Sequence, residues 1–359
     1  MALELKQITK RVGAEIHIHD TSLVLEPGVF NILLGATNAG KSTLIKLMAG
    51  LERPTTGTLW ADGVDVTGLS PQKRNISLVH QFFVNYPHMS VFENIASPLR
   101  VAGVAKSEIA GRVEEAANIL QLGPMLHRRP DELSGGQQQR TALARAIVKE
   151  SRAIFLDEPL ANLDYKLREE LREQLPDLLA GRGTVVVYAT SEPTEALLLG
   201  GNTGLIHEGR LTQFGPTPTI YRTPANLNAA AVFSDPPINL APVRKSGGQM
   251  HLGTGLSWDA GAAAALPDGE YTVGIRPHHV TPTPPRAASV AMEGTVQITE
   301  LSGSESVAHF EIETGMWVST SAGIHPYEIG ARHAFHMIPE QCFYFAPDGA
   351  LAAKGAANG

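Results

Sequence analysis

Two short strings carry the residues best suited to handling phosphate. The first is Gly35-Ala-Thr-Asn38-Ala-Gly40-Lys41-Ser42-Thr43, and the second is Ala153-Ile-Phe-Leu156-Asp157-Glu158. Glycines at 35 and 40 let backbone N–H groups turn toward a polyphosphate, and a helix starting behind them adds the positive end of its dipole. Lys41 is the compact cation expected at the β- and γ-phosphates, and Ser42 offers a hydroxyl to Mg²⁺. Gly35, Asn38, Gly40, Lys41, Ser42 and Thr43 form the candidate nucleotide cradle. Asp157 closes an apolar run, so its carboxylate is displayed where the metal would lie, and Glu158 is placed to polarise an attacking water. Taken alone, Asp157–Glu158 reads as an ordinary strand-to-loop transition; the phosphate loop upstream gives it its meaning. A third string, Leu133-Ser134-Gly135-Gly136-Gln137, has a good helix N-cap in Ser134. Two glycines in a first turn cost about 1 kcal/mol each relative to alanine, which makes sense where backbone must approach a ligand closely.

The elements that must position these groups are legible as well. Val29–Leu34 is a short apolar run opening onto the glycine loop, and Leu44, Ile45, Leu47 and Met48 behind it have helical spacing up to Gly50. Ala153–Leu156 and Thr184–Ala189 read as parallel strands buried on both faces. Leu163, Leu167, Leu171, Leu175 and Leu178 form the stripe of a covering helix between them. The alternation predicts a parallel α/β core. From about Tyr86 to Leu133 no comparable strand occurs, and Glu108–Leu122 reads as an amphipathic helix. A helical insertion is expected over 86–133, with a helix running from Gln138 toward Lys149 after it. Beyond Phe233 the texture becomes β-rich, with breakers at Asp235-Pro-Pro and Thr281–Pro285 and strands over Thr295–Thr299, Ser306–Ile312 and Cys342–Phe345. The expected division is 1–235 and 236–359, the second part a small all-β barrel.

Bulk properties exclude several classes. With 43% hydrophobic and 18% charged residues the 359-residue chain is an ordinary globular composition, long enough for two cores. No run approaches the roughly 18 apolar residues of a membrane span, and the first residues lack a signal-peptide core. A cytosolic location follows as the expectation, with membrane contact only through a partner. A net charge of −7 argues against broad nucleic-acid binding. The single Cys342 fits a reducing compartment and reads as a strand residue. His17 and His19 share a strand face without a third metal ligand and read as solvated, as do His278 and His279. Trp317, Phe343, Tyr344 and Phe345 lack a basic groove and read as core.

The motifs and their order resemble the ATP-binding subunits of ABC transporters. The extended string Pro130-Asp-Glu-Leu-Ser-Gly-Gly-Gln-Gln-Gln-Arg140, and the tail segments Thr223-Pro-Ala-Asn, Asp235-Pro-Pro-Ile-Asn239, Gly274-Ile-Arg-Pro277 and Leu301–Glu305, are similar to the maltose and glycerol-phosphate importer ATPases over essentially the whole chain. The resemblance implies a P-loop NTPase cassette of the α/β class with a helical subdomain, followed by a small all-β (OB-like, TOBE) regulatory domain. It implies ATP and Mg²⁺ as cofactors, with Ser42, Gln81 and Asp157 at the metal. Glu158 and Gln81 are the implied catalytic groups, and Ser134, Gly135, Gly136 and Gln137 the implied contact to ATP held by the opposite subunit. Leu160–Asp164 resembles the loop that crosses the dimer interface. The implied partners are a second ATPase subunit, two membrane permeases and, indirectly, an extracytoplasmic solute-binding protein, at the cytoplasmic face of the inner membrane.

Three positions depart from that pattern. Ser191 stands where the family carries a histidine contacting the γ-phosphate; its hydroxyl is shorter and cannot carry charge. Losing such a contact typically costs on the order of 10²–10³ in rate. Asn38 and Ala39 replace the usual Ser-Gly or Ser-Cys, and Val12 stands where an aromatic ring stacks on adenine. The departures predict pairing with a non-identical ATPase whose complete site is finished by Ser134–Gln137 of this chain. Sequence drift without consequence is the plainer alternative. A non-catalytic ATP-binding subunit and a soluble ABC protein outside transport are the rival functions.

Overall fold

The computed structural model describes residues 2–161, 163–179, 183–285 and 288–356, in two compact units, 1–217 and 218–359. The first unit opens with strands β1 (Leu3–Val12), β2 (Glu15–Leu25) and β3 (Phe30–Leu34), then helix α1 (Lys41–Ala49), β4 (Thr56–Ala61), β5 (Val64–Asp65), α2 (Pro71–Arg74) and β6 (Ile76–Val79). It continues through α3 (Val91–Val101), α4 (Lys106–Ile119), α5 (Gly135–Ile147), β7 (Ala153–Asp157), α6 (Tyr165–Leu179), β8 (Val185–Thr190), α7 (Pro193–Leu199), β9 (Asn202–His207) and β10 (Arg210–Pro216). β3, β7 and β8 are buried at every residue, as their uninterrupted apolar composition requires of central parallel strands. They lie in a sheet of order β10-β9-β3-β8-β7-β6, in which only β10 pairs antiparallel. A second, antiparallel sheet (β2-β1-β4-β5) packs against the first with α1 between them, through Leu5, Ile8, Leu44, Leu47, Phe155 and Val187.

Between β6 and β7 the chain is helical, as expected. Ser90 and Glu93 form a reciprocal capping box that fixes the start of α3, and buried Asn94 ties the preceding loop down at Tyr86 and Met89. The amphipathic segment is α4, Lys106–Ile119, ending before the expected Leu122; Leu120 and Leu122 are nonetheless buried. α5 begins at Gly135, because the Ser134 cap starts the helix ahead of Gln138. In α6 the buried stripe is Leu167, Leu171, Leu175 and Leu179; a strict four-residue step selects Leu179 and leaves Leu178 half-buried.

Among the described residues, the second unit holds α8 from Pro218 to Arg222 (the helix itself spans Thr217–Arg222) and α9 (Leu227–Val232) ahead of eleven strands. They are β11 (Asn239–Ser246), β12 (Gln249–Leu252), β13 (Leu256–Asp259), β14 (Gly269–Ile275), β15 (Val280–Thr281), β16 (Val290–Leu301), β17 (Glu305–Ile312), β18 (Gly315–Ala322), β19 (Arg332–Met337), β20 (Phe343–Phe345) and β21 (Leu351–Lys354). Two antiparallel sheets, β13-β12-β11-β14-β20-β21 and β15-β19-β16-β17-β18, share one core around Trp317, Phe310, Phe335 and Tyr344. The units divide ahead of the 235/236 boundary read from composition, since α8 and α9 are built onto the β unit. Arg276 donates to the Tyr221 carbonyl at 2.7 Å with its guanidinium over that ring, and Leu227 N–H donates to Gly349. Cys342 precedes β20 instead of lying within it, fully buried, with its thiol pushed up by desolvation. His279 is half-buried and not solvated: burial, then His278 and Arg276, hold its pKa down to about 3.

Candidate nucleotide site

The site forms where β3, β7, β8 and β6 end on one edge of the parallel sheet. Gly35 follows β3 directly. A side chain there would collide with the Ile206 carbonyl, and Gly40 has φ of 110°, so neither position tolerates another residue without distortion. Asn38 also takes a left-handed conformation, φ 65°, one that asparagine tolerates better than most residues. α1 starts at Lys41 with no side-chain cap and no acid in its first turn, which leaves its N-terminal N–H groups, including the stretch through Ser42 and Thr43, open to an anion.

Lys41 is 4% exposed. Its ammonium donates to the carbonyls of Gly35 at 2.7 Å and Ala36 at 3.0 Å and lies 3.5 Å from Glu158 Oε1. Burial lowers its pKa, and the Glu158 charge opposes that shift. The other carboxylate oxygen of Glu158 accepts from Gln81 Nε2 at 3.2 Å, so the glutamine loop, the carboxylate and the lysine form one connected chain. Ser42 Oγ donates to Asp157 Oδ1 at 3.0 Å. Burial raises the Asp157 carboxyl above its ordinary range, while the Ser42 hydrogen bond and the charges of His80 and Lys41 pull the other way. Glu158 has φ of 48°, a strained backbone for a non-glycine residue, and its N–H is held by Ala189 of β8 at 3.0 Å. The strain is stored where the carboxylate has to point away from the strand direction.

Ser191 follows β8 on the same edge: Thr190 accepts from Gly35 N–H at 3.3 Å, and Ser191 itself is exposed. Its turn is fixed from α6, whose Arg168 donates to Glu192 at 3.0 Å, with Arg172 ion-paired to Glu192 and buried Glu195. Val12 ends β1 and is half exposed, while its hairpin partner β2 passes behind the glycine loop, His17 and Ile18 lying against Gly40. The Ser134 loop is exposed. Ser134 and Gln137 cap their own helix reciprocally, Gln137 N–H to Ser134 Oγ at 3.4 Å and Ser134 N–H to Gln137 Oε1 at 3.1 Å. A Cβ at Gly135 would meet nothing within 4 Å, so this chain's own fold does not demand that glycine. Asn162, inside the Leu160–Asp164 loop, lies outside the described residues.

The structure thus brings Lys41, Ser42, Asp157, Glu158 and Gln81 together, with Ser191 beside them and Ser134–Gln137 facing outward. Two further groups emerge only in three dimensions. Buried Gln139 donates to the Pro159 carbonyl and ties α5 to the loop after Glu158. His80 sits beside Asp157; the parallel register of β6 on β7 is the signal that locates it.

The donor set suits Mg²⁺. A hydroxyl, a carboxylate and an amide carbonyl are hard oxygen ligands, and magnesium at a phosphate site draws its remaining ligands from the nucleotide and water. Groups of three or more His, Cys, Asp or Glu side chains able to hold a metal without a nucleotide do not occur among the described residues.

Known proteins resemble this chain in sequence and fold. Residues 18–161 match the ABC transporter family and residues 273–345 the TOBE domain. The sn-glycerol-3-phosphate import ATP-binding protein UgpC of Cupriavidus necator is 36% identical, over 96% of this chain and 97% of that protein. The protein of the same name from Salmonella typhi is 39% identical over 86% of this chain and 87% of its own length. Among solved structures, a dimeric post-hydrolysis state of the ATP-binding cassette MJ0796 bound to ADP and Pi superposes with a TM-score of 0.55 at 27% identity, covering 60% of this chain and 98% of that one. With a relative this similar along nearly its full length, the chain belongs to the ABC transporter family, as one of its ATP-binding, ATP-hydrolysing subunits.

Proposed function

We propose that this chain energises import of a small phosphorylated polyol, of the sn-glycerol-3-phosphate kind, by hydrolysing ATP in a dimer of such subunits at the inner face of the membrane. The observation that carries the chemistry is the connected chain Gln81–Glu158–Lys41 beside Ser42–Asp157. The phosphates of ATP offer Lys41 stronger partners than the carbonyls of Gly35 and Ala36. Once Lys41 turns to them, Glu158 is released to polarise the water that attacks the γ-phosphorus, with Gln81 holding its second oxygen. Ser42, Asp157 and Gln81 would hold Mg²⁺, whose chemistry when bound is to neutralise phosphate charge. The exposed Ser134–Gln137 cap and the uncrowded Gly135 support a contact to ATP on the opposite subunit. Exposed Phe82, Val84 and Tyr86 beside Gln81 support docking of a membrane permease there. Helices long and apolar enough to cross a membrane do not occur among the described residues.

The solute assignment rests on the names of the relatives. Its test is uptake: cells lacking the chain should lose sn-glycerol-3-phosphate uptake and regain it with the wild-type chain but not with Lys41→Ala. Unaltered uptake in the deletion strain, with maltose or glycerol uptake lost instead, would transfer the assignment to that solute.

Exposed Ser191 supports a second reading, pairing with a non-identical ATPase. Under it the purified chain alone binds Mg·ATP yet turns over no faster than its Glu158→Gln variant. Brisk turnover by the chain alone removes that reading.

A further inference from the structure

One side chain of this edge has no role in the scheme above. β6 runs parallel to β7 with Val79 opposite Leu156, so the next step of the register sets His80 beside Asp157. Alternation puts His80 on the face of Leu78 and Ile76, the face that joins the core under α1 together with Phe155. Its Nδ1 is buried and has no hydrogen-bond partner among the described residues. A buried polar atom left unpaired costs about 1–3 kcal/mol, and such atoms in native proteins call for an ordered water, ion or ligand as partner. Of its neighbours, Gln81 Nε2 is bonded to Glu158 and Asp157 Oδ1 to Ser42. The Thr190–Ser191 turn, on the next strand but one, brings a hydroxyl and no ring nitrogen.

We infer that His80 is a further positioning residue of the Mg·ATP site, its Nδ1 completing the hydrogen bonding of the water ordered at Asp157 when Mg·ATP loads. Magnesium dehydrates reluctantly and keeps several waters, so a polar group beside a metal-facing carboxylate acts on water as readily as on the ion. This inference rests on the Mg·ATP reading of the site.

The experiment is ATP binding to the full chain over a Mg²⁺ titration, for wild type, His80→Phe and His80→Asn. Phenylalanine keeps the ring, including its approach to Phe82 at 6.3 Å, but removes both nitrogens; asparagine returns polar atoms near the position of Nδ1. The Phe variant should raise the Mg²⁺ midpoint ~10–100-fold, the usual effect of losing an outer-shell partner, with ATP affinity in EDTA unchanged; Asn should recover most of the loss. A second readout is hyperfine coupling between Mn²⁺, substituted with ATP, and ¹⁵N-labelled histidine, present in wild type and absent in His80→Asn. A wild-type midpoint in the Phe variant, equal losses in Phe and Asn, or absent coupling each overturns the inference. If the Phe variant fails to fold, the coupling decides alone. Wild-type protein that binds ATP without any metal dependence removes the proposed function along with it, and is distinguished because no variant is then needed.

Discussion

Lys41→Ala isolates the nucleotide cradle from the fold. The ammonium is satisfied by two carbonyls and the Glu158 carboxylate, all within 3.5 Å. Burial nonetheless lowers its pKa, so the charge is held at a cost that these partners do not fully offset. Removing it should therefore leave far-UV circular dichroism unchanged and move Tm by only a few degrees, since surrendered contacts and relieved desolvation oppose one another. Against ATP the balance is different. Two charge-assisted contacts to the β- and γ-phosphates are worth about 1.5–3 kcal/mol each. Because Lys41 gives up internal partners to make them, the lower end applies, about 3 kcal/mol, or ~10²-fold in Kd. Calorimetric titration of Mg·ATP into both proteins measures it. A Kd within threefold of wild type, on a folded variant, would refute the assignment of the loop.

Three further outcomes follow from other parts of the molecule. Asp157 carries a carboxyl raised by burial above the ordinary 3.8, so it penalises the folded state as pH rises through that value; the penalty is absent below it. Asp157→Asn should therefore raise the Tm at pH 7, with no gain below pH 3.8; an unchanged Tm at pH 7 contradicts it. Ser134→Arg should abolish turnover without weakening Mg·ATP binding to its own cradle, and mixing it with Lys41→Ala should restore about a quarter of wild-type ATPase, because half the dimers of a symmetric pair then hold one intact composite site. No recovery on mixing removes the contact between subunits. In the β unit, Arg276 is 2% exposed and stacks on Tyr221 at 3.7 Å and Phe343 at 5.0 Å; Arg276→Lys should destabilise that unit by about 2 kcal/mol in urea unfolding, since an ammonium cannot stack a plane on either ring.

How much of this was legible depends on whether a residue acts through its own strand or through its neighbour's. Lys41, Ser42, Asp157 and Glu158 announce themselves because each sits at the end of a strand or the start of a helix that local pattern already predicts, and the edge of a parallel sheet gathers such ends. The division at 217/218, ahead of the boundary read from composition, is hidden for the opposite reason. Residues 218–233 hold two short helices, as the α/β unit does, yet Tyr221 serves Arg276, a residue fifty-five positions later in the chain. Composition cannot register a debt of that kind. His80 is the sharpest instance. In the string Leu78-Val-His80-Gln81 it is one polar residue after a strand, no different in pattern from a solvated histidine such as His17. What changes its meaning is the pairing of Val79 with Leu156, a relation between segments 77 residues apart, which carries an unpartnered ring nitrogen to the side of a buried carboxylate. Ser191 and His80 therefore have to be weighed together. A site that lacks a ring nitrogen at the end of one strand and has one, unpaired, at the end of another is not established as impaired by the first fact alone, and turnover by the isolated chain is the quantity that both positions bear on.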